Sequence, residues 1–178
     1  SRAIKTSRFW WVTLAFSSGL YAWYAVQVHQ TKFLIDVGIS PSFAAVALGL
    51  VGLTGIGGQI CVGHLSDKIG REWGWTVSLL GFFLTYFLLQ IISEVPSEII
   101  VYLMVGAQGF MGYGLASVFG TVPAELFGGK RYGVIFGTLG AFAGMGAALG
   151  PWATGWLFDL RNNYDMAFNV AMGMCLIS

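Results

Sequence analysis

The stretch of residues 75–92 reads WTVSLLGFFLTYFLLQII and contains no charged side chain. A helix needs about 20 mostly apolar residues to cross the hydrocarbon core of a bilayer, and this run is close to that length. The whole chain has the same character: its 178 residues are 56% hydrophobic and only 10% charged, whereas soluble domains contain roughly 25% charged residues. The composition therefore predicts a helical protein that crosses a membrane several times.

Similar apolar runs lie along the rest of the chain, and each is expected to be a helix because lipid offers no hydrogen-bond partners to an open backbone. The runs are much longer than the strands of a membrane barrel and lack strict alternation. The predicted helices cover residues 9–30, 42–63, 74–93, 97–122, 132–158 and 166–178. The last run is too short to cross alone, so we expect an all-α polytopic bundle with five complete spans and part of a sixth.

The basic residues are distributed unevenly between the two ends of these predicted helices. If every run crosses, seven of the nine Lys and Arg residues fall on one side: Arg2, Lys5, Arg8, Lys68, Arg71, Lys130 and Arg131. Lys and Arg are enriched in the cytoplasmic loops of membrane proteins. The distribution predicts a multi-pass protein of the cell membrane, with the N-terminal end of this chain in the cytoplasm. The net charge of +1 argues against a nucleic-acid partner, because polyanion binding needs a basic surface.

The most specific pattern is GHLSDKIGR at residues 63–71, between the second and third predicted helices. We expect a helix to end here and the chain to turn through Gly63 and Gly70. Asp67 can then accept hydrogen bonds from the next helix N-terminus, or pair with Arg71 or a neighbouring segment. A charged cytoplasmic turn is the simpler interpretation. It explains Lys68 and Arg71, but it does not explain the ordered spacing of the glycines and the aspartate.

This pattern resembles the signature loop of the major facilitator superfamily of transporters, which follows the second helix of each six-helix half. Glu72 departs from that signature, because the family usually has another basic residue there. The matching positions are Gly63, Leu65, Asp67, Lys68, Gly70 and Arg71. The resemblance implies that these residues belong to a gate on the cytoplasmic side. The loop can occur in both halves, but the spacing of the segments and the glycine–proline run of the fifth predicted helix resemble the C-terminal half. The resemblance therefore implies a C-terminal half with a truncated last helix, whose partner is a missing N-terminal six-helix half.

The fifth predicted helix is rich in glycine. Four of its glycines share one face, because they recur at intervals of four, three and four residues: Gly133, Gly137, Gly140 and Gly144. Small residues let helix backbones approach closely, and a proline can kink a helix. The following Gly146, Gly150 and Pro151 resemble the eleventh helix of the superfamily, which implies a helix that packs and flexes during transport.

Polar side chains inside membrane helices are functional candidates by default, because their burial in lipid is costly. The candidates for a solute pathway are Tyr21, Tyr24, Gln27, Gln59 and Gln108. The first three follow helical spacing and suit a cavity, although an aromatic belt with interhelical hydrogen bonds explains them too. Gln59 either bonds a neighbouring helix or lines the pathway. Gln108 and Tyr113 are five residues apart, so at most one of them is expected to face the solute.

Residues 27–58 resemble the monocarboxylate-porter and oxalate/formate branches of the superfamily. Carriers of monocarboxylates usually have an Asp and an Arg in the second helix of this half, whereas this chain has Gly55 and Gln59 there. No complete predicted span has a charged residue at its middle. A proton-coupling carboxylate is therefore expected in the missing half or near a membrane edge. His29 is expected at the outer rim, although an imidazole could also carry protons.

These features predict secondary or facilitated transport of a small solute by alternating access, with the solute bound near mid-membrane between two halves. A small organic anion is the candidate substrate and the proton is the candidate coupling ion. The alternatives are a structural or regulatory membrane half-protein, and a membrane enzyme or sensor. An enzyme is disfavoured because the sequence has no Walker, Gly-x-Ser-x-Gly or His-Glu-x-x-His motif. No cofactor and no metal site is expected.

Overall fold

Five long helices and one shorter helix make up the part of the chain that the structure describes. The computed structural model describes residues 2–129 and 132–178, with the backbone alone at residues 2 and 3, so Lys130 and Arg131 lie outside the described residues. The helices are α1 (Ser7–Asp36), α2 (Pro41–Ile69), α3 (Arg71–Glu94), α4 (Glu98–Phe127), α5 (Tyr132–Arg161) and α6 (Asp165–Ile177). No β-strand occurs in the described residues, and the predicted all-α class is confirmed.

The helices extend further than the apolar runs that predicted them. α1 continues to Asp36, beyond residue 30, and α2 continues to Ile69, beyond residue 63. Hydrophobicity marks only the part of a helix that faces apolar surroundings, whereas the backbone hydrogen bonds continue into its polar ends. The start of α2 follows the sequence closely, since the Ser40 hydroxyl accepts a hydrogen bond from the backbone N–H of Phe43 at 3.3 Å. This is the ordinary chemistry of a helix N-cap.

α4 is interrupted by irregular helical backbone. Glu98–Val105 is α-helical, Gly106–Met111 is a π-helix and Gly112–Gly114 is a 3-10 turn, after which α-helix resumes at Leu115. This irregular segment packs against both α2 and α3. Short π-helical segments within α-helices are often found at functional sites. The expectation of one regular helix from residue 97 to 122 therefore needs correction in its centre.

Four helices of the described chain, α2 to α5, are long and apolar enough to cross a membrane by length and composition. α1 has 30 residues, but its Tyr, Trp, Ser and Gln side chains make it less apolar. α6 has 13 residues and is shorter than a bilayer requires. Of the five predicted complete spans, four therefore meet this standard and α1 meets it in length alone.

α1 and α5 form one of the most extensive helix pairs in the fold. Gly146 and Gly150 of α5 lie directly against the backbone of α1. A Cβ atom at Gly146 would overlap the carbonyl oxygen of Ser17, and one at Gly150 would overlap that of Tyr21. The Ser17 hydroxyl also donates a hydrogen bond to the carbonyl oxygen of Phe142 at 3.1 Å. The two backbones are therefore held in contact with no side chain between them.

α3 packs on another side of α1. The Tyr86 hydroxyl donates to the carbonyl oxygen of Ala22 at 2.5 Å, and the rings of Phe16 and Trp75 stack with their centroids 4.7 Å apart. Tyr86 and Phe16 are almost completely buried. α1 is thus enclosed by α5 on one side and by α3 on another.

α2 and α5 each keep one apolar side that no other described residue covers. In an apolar 18-residue stretch of each of these two helices, only 28% of the residues are buried, whereas the corresponding share is 44% in α3 and in α4. On α2 the uncovered face contains Leu53, Ile56 and Ile60. On α5 the uncovered residues include four glycines, and a Cβ at any of them would meet no atom within 4 Å: Gly133, Gly137, Gly140 and Gly144. Close packing of α5 within this chain therefore uses Gly146 and Gly150 and leaves the predicted glycine face open.

Replacing Gly150 with Val should destabilise the fold, because the added atoms would overlap the backbone of α1 at Tyr21. Overpacking of this kind costs about 1–3 kcal/mol. The unfolding midpoint of the purified full-length protein, followed by tryptophan fluorescence, should fall accordingly. Gly173→Val in α6 is the matched control, since a Cβ there meets nothing within 4 Å. Equal unfolding midpoints for the two variants would contradict the packing described for α1 and α5.

Candidate functional site

The sequence pattern at residues 63–71 is almost entirely helical. α2 runs through it to Ile69 and α3 begins at Arg71. Gly70 makes the turn with φ at 106°, a left-handed backbone conformation that favours glycine. The expectation of a turn through two glycines is wrong for Gly63. That residue lies inside α2, where a Cβ would be 3.3 Å from the side chain of Ser117 in α4.

Arg71 joins the ends of three helices through its guanidinium group. Its Nη2 lies 2.5 Å from Oδ1 of Asp67, its Nη1 donates to the Ser66 hydroxyl at 2.8 Å, and its Nε donates to Oε1 of Glu125 at 2.9 Å. Ser66 and Asp67 lie at the end of α2, and Glu125 lies at the end of α4. These four residues are called the Arg71 cluster below. Of the alternatives for Asp67, the structure contains the ion pair with Arg71.

The three charged side chains of the Arg71 cluster are accessible to solvent, whereas Ser66 is buried. The side chains of Asp67 and Glu125 are 56% and 59% exposed, and that of Arg71 is 21% exposed. Exposed ion pairs contribute little to stability, because water and salt screen them. The cluster can therefore separate and re-form at low cost. Lys68, the other basic residue of the pattern, is also exposed.

Sequence reasoning did not pair Glu125 with Arg71. The two residues are 54 positions apart, and no local spacing relates them. The sequence does indicate that the two residues lie on the same side of the membrane. Glu125 ends the fourth apolar run, on the same predicted side of the membrane as Arg71, where only Asp67 and Glu72 are also acidic.

Midway along α2 and α4, three helices meet at Tyr113. Its hydroxyl donates a hydrogen bond to Oε1 of Gln27 in α1, and its ring centroid lies 5.0 Å from that of Trp23. Gly55 of α2 provides the space, because a Cβ there would overlap the ring. Gln27, Trp23 and Tyr113 are half-buried. Gln27 uses only its amide oxygen in hydrogen bonds to the described residues, so its amide nitrogen is free to donate.

The three candidate pathway residues on α1 lie in two different surroundings. Tyr24 is 45% exposed, with its ring centroid 6.1 Å from that of Trp23. Tyr21 is only 6% exposed, and its backbone lies against Gly150 of α5. Tyr24 and Gln27 are therefore accessible, whereas Tyr21 belongs to the contact between α1 and α5.

The other two pathway candidates differ in burial. Gln59 is half-buried on α2, one turn beyond Gly55. Gln108 is fully buried in the π-helix, and neither of its amide atoms has a hydrogen-bond partner among the described residues. An unpaired buried amide costs about 1–3 kcal/mol. The expectation that Gln108 and Tyr113 cannot share a face assumed 3.6 residues per turn, a spacing that does not apply across this irregular segment.

Charges within the described residues lie at the two ends of the bundle. The ion pairs there are those of the Arg71 cluster at one end and Lys32 with Asp36 at the other. The described residues contain no group of three or more His, Cys, Asp and Glu side chains that could hold a metal ion. The side chains around Gln27 and Tyr113 therefore offer neutral hydrogen bonds and aromatic surfaces.

Comparison with known proteins gives these features a context. A family model described as Major Facilitator Superfamily matches residues 3–178. The chain is 28% identical over 131 residues to Monocarboxylate transporter 9 of Gallus gallus and 29% identical over 149 residues to Monocarboxylate transporter 13 of Bos taurus. It is also 28% identical over 142 residues to the uncharacterized MFS-type transporter YfiU of Bacillus subtilis (strain 168).

These alignments cover 72%, 81% and 78% of the chain but only 25%, 34% and 26% of the three relatives. The chain thus spans about a quarter to a third of the length of the curated proteins it matches. The family match extends over nearly all of its residues, and its long apolar helices are those of a multi-pass integral membrane protein. The chain belongs to the Major Facilitator Superfamily, a family of membrane transporters.

Proposed function

We propose that this chain is the C-terminal six-helix half of a secondary transporter in the cell membrane, with its N-terminal end in the cytoplasm. The transporter moves a small solute by alternating access. The observation that carries the proposal is the pair of uncovered apolar faces on α2 and α5, together with the accessible polar groups of Tyr24 and Gln27 on the helix between them. A second half seated on these faces would enclose a neutral polar site near mid-membrane.

The open glycine face of α5 suits another helical protein surface better than lipid. α1 contacts both α2 and α5, so the two faces flank the accessible part of α1. The open glycines of α5 would let a partner helix approach closely, which is how small residues act in helix pairs within membranes. Lipid chains do not need small residues on the helix face that they contact. The uncovered faces therefore fit the expected N-terminal half.

A small organic anion fits the polar groups in this half. The amide nitrogen of Gln27 and the phenol of Tyr24 can donate hydrogen bonds to carboxylate oxygens. The relatives named as monocarboxylate transporters support the same class of solute. Because the middle of each long helix lacks charged residues, a positive partner for the anion and a proton-coupling carboxylate would both come from the other half.

The Arg71 cluster is proposed as part of the cytoplasmic gate. It joins the ends of α2, α3 and α4, and alternating access requires such ends to move relative to the other half in each cycle. Weak, exposed ion pairs suit this role because they can re-form in every cycle. The cluster should therefore control the rate of transport more than the choice of solute.

Replacing Asp67 with Ala, or Glu125 with Gln, should lower the maximal rate of transport while leaving membrane insertion intact. Each change removes one ion pair of Arg71, and exposed pairs contribute about 0.2–1 kcal/mol. We therefore expect a roughly two- to fivefold fall in rate. Uptake of radiolabelled lactate, pyruvate and acetate into proteoliposomes that contain the full-length protein gives the measurement.

Glu72→Gln is the matched control for these two variants. Glu72 neighbours Arg71 but forms no ion pair with it in the structure. Full uptake by the Asp67→Ala variant, or an equal loss in the Glu72 control, would contradict the gating role of the cluster.

Replacing Tyr113 with Phe should raise the KM for the transported monocarboxylate. The change removes the hydrogen bond that holds Gln27 and keeps the ring against Trp23. A hydrogen bond of this kind contributes about 0.5–1.5 kcal/mol, so KM should rise roughly two- to tenfold with little change in maximal rate. Tyr102→Phe is the control, because Tyr102 is exposed on the same helix. An unchanged KM in the Tyr113 variant would show that this pair does not support solute binding.

Replacing Gly140 with Leu should impair assembly of the two halves. In this chain a side chain at Gly140 has open space, but a partner helix packed closely there would be displaced. Uptake should fall and the unfolding midpoint of the full-length protein should decrease, whereas Gly173→Leu should change neither. If the Gly140 and Gly173 variants behave alike, the uncovered face of α5 is not the contact with the other half.

A further inference from the structure

The end of α1 farthest from the Arg71 cluster is joined to α5 by a histidine. Nε2 of His29 lies 3.0 Å from the carbonyl oxygen of Pro151. A carbonyl oxygen can only accept, so this contact requires a hydrogen on Nε2. The neutral imidazole must therefore adopt the Nε2–H tautomer, or else the ring is protonated on both nitrogens.

The other ring nitrogen of His29 faces Tyr164, which lies between α5 and α6. Nδ1 is 3.5 Å from the Tyr164 hydroxyl. The Tyr164 ring is held among aromatic side chains, with centroids 4.5 Å from Phe158 and 5.4 Å from Phe168. Burial raises the pKa of Tyr164, so its hydroxyl keeps its proton and can donate to a neutral His29. The imidazole is thus oriented from both sides.

Pro151 lies inside α5 and interrupts its backbone hydrogen bonds. A proline inside a helix removes one backbone hydrogen bond and permits a kink. On one side of it, Gly146 and Gly150 hold α5 against the backbone of α1. At Pro151 itself, the hydrogen bond from His29 connects α1 to α5.

We propose that His29 is a positioning residue that holds the end of α1 to α5 at the proline, so that the two helices move as one body. We propose further that this connection is stronger when the imidazole is protonated. The part of the inference that concerns transport rests on the function proposed above: as the rigid pair rocks, His29 would prevent α5 from bending away from α1 at Pro151.

Protonation strengthens the connection for a chemical reason. The bond from Nε2 to the Pro151 carbonyl becomes charge-assisted, and such bonds are roughly twice as strong as neutral ones. Nδ1 then carries a proton too, and the Tyr164 hydroxyl can turn to accept it. The charged groups that act on Tyr164 are Lys32 and Asp36 of α1 and Asp159 of α5.

Hydrogen exchange in the full-length protein tests this inference without any solute. Mass spectrometry would follow deuterium uptake in peptides covering residues 152–161, at pH 5.5 and pH 7.5, after correction for the intrinsic dependence of exchange on pH. In His29→Phe the exchange should be roughly two- to tenfold faster, as expected for the loss of one hydrogen bond. His29→Gln can place an amide N–H at a similar reach, so it should restore most of the protection.

The pH dependence separates a positioning role from simple packing. Protection in the wild type should be greater at pH 5.5 than at pH 7.5, because the bond from Nε2 to the Pro151 carbonyl is stronger when the imidazole is protonated. His29→Gln should show no such difference. His64→Phe, which alters the second histidine of the chain at the exposed end of α2, should leave exchange at residues 152–161 unchanged.

Equal exchange in His29→Phe and the wild type would overturn the inference. If His29→Gln exchanges as fast as His29→Phe, the hydrogen bond to Pro151 is not the cause. A wild type without pH dependence would overturn the part that concerns protonation, and it does so even if His29→Phe fails to fold. Uptake of radiolabelled lactate by the same preparations tests the transport proposal separately, because protection at Pro151 can be present in a protein that carries no lactate.

Discussion

At Gly146 and Gly150 the backbones of α1 and α5 touch directly, and this contact fixes the central position of α1. Helices in a bilayer gain no hydrophobic driving force from packing together, so close van der Waals contact and interhelical hydrogen bonds must hold them. The remaining sides of α1 use the same means, since Tyr86 of α3 donates to a backbone carbonyl and Tyr113 of α4 donates to Gln27. α3, α4 and α5 thereby each make a directional contact with α1, and these contacts define how the helices are arranged around it.

The class of fold could be predicted from the sequence because it depends on local signals. Apolar runs of membrane length indicate helices, and Ser40 with Pro41 indicates where α2 begins. The ion pair of Asp67 with Arg71 was likewise one of the expected alternatives. The partnership with Glu125 was not predictable in this way, because it depends on how the ends of α3 and α4 meet. The irregular backbone at Gly106–Met111 has the same origin, since glycine permits a π-helix but only packing against α2 and α3 can select it.

The glycines of α5 show what periodicity does and does not determine. Spacing correctly assigns Gly137, Gly140 and Gly144 to one face, yet none of the described residues packs against that face. The glycines that contact α1 are Gly146 and Gly150, which follow a different phase of the same helix. A sequence repeat identifies a surface that allows close approach, but the identity of the neighbour depends on the rest of the fold. A helix that packs between two partners requires two such surfaces, and α5 has two glycine faces.

The separation of charge from the interior has a mechanical consequence. Moving a charged side chain through a low-dielectric region is costly, whereas neutral amides and phenols can exchange partners at the cost of ordinary hydrogen bonds. In this chain the groups around Gln27 and Tyr113 are neutral, and the ion pairs lie at the ends, where water screens them. Relative motion of α1, α2 and α4 would therefore rearrange weak or screened interactions only. The buried amides of Gln30 in α1 and Gln108 in α4 are exceptions, because neither has a hydrogen-bond partner among the described residues. A rearrangement of the π-helical segment that gave the Gln108 amide a hydrogen-bond partner would lower the free energy of the protein. A second conformation of α4 would therefore gain most stability from a change around Gln108.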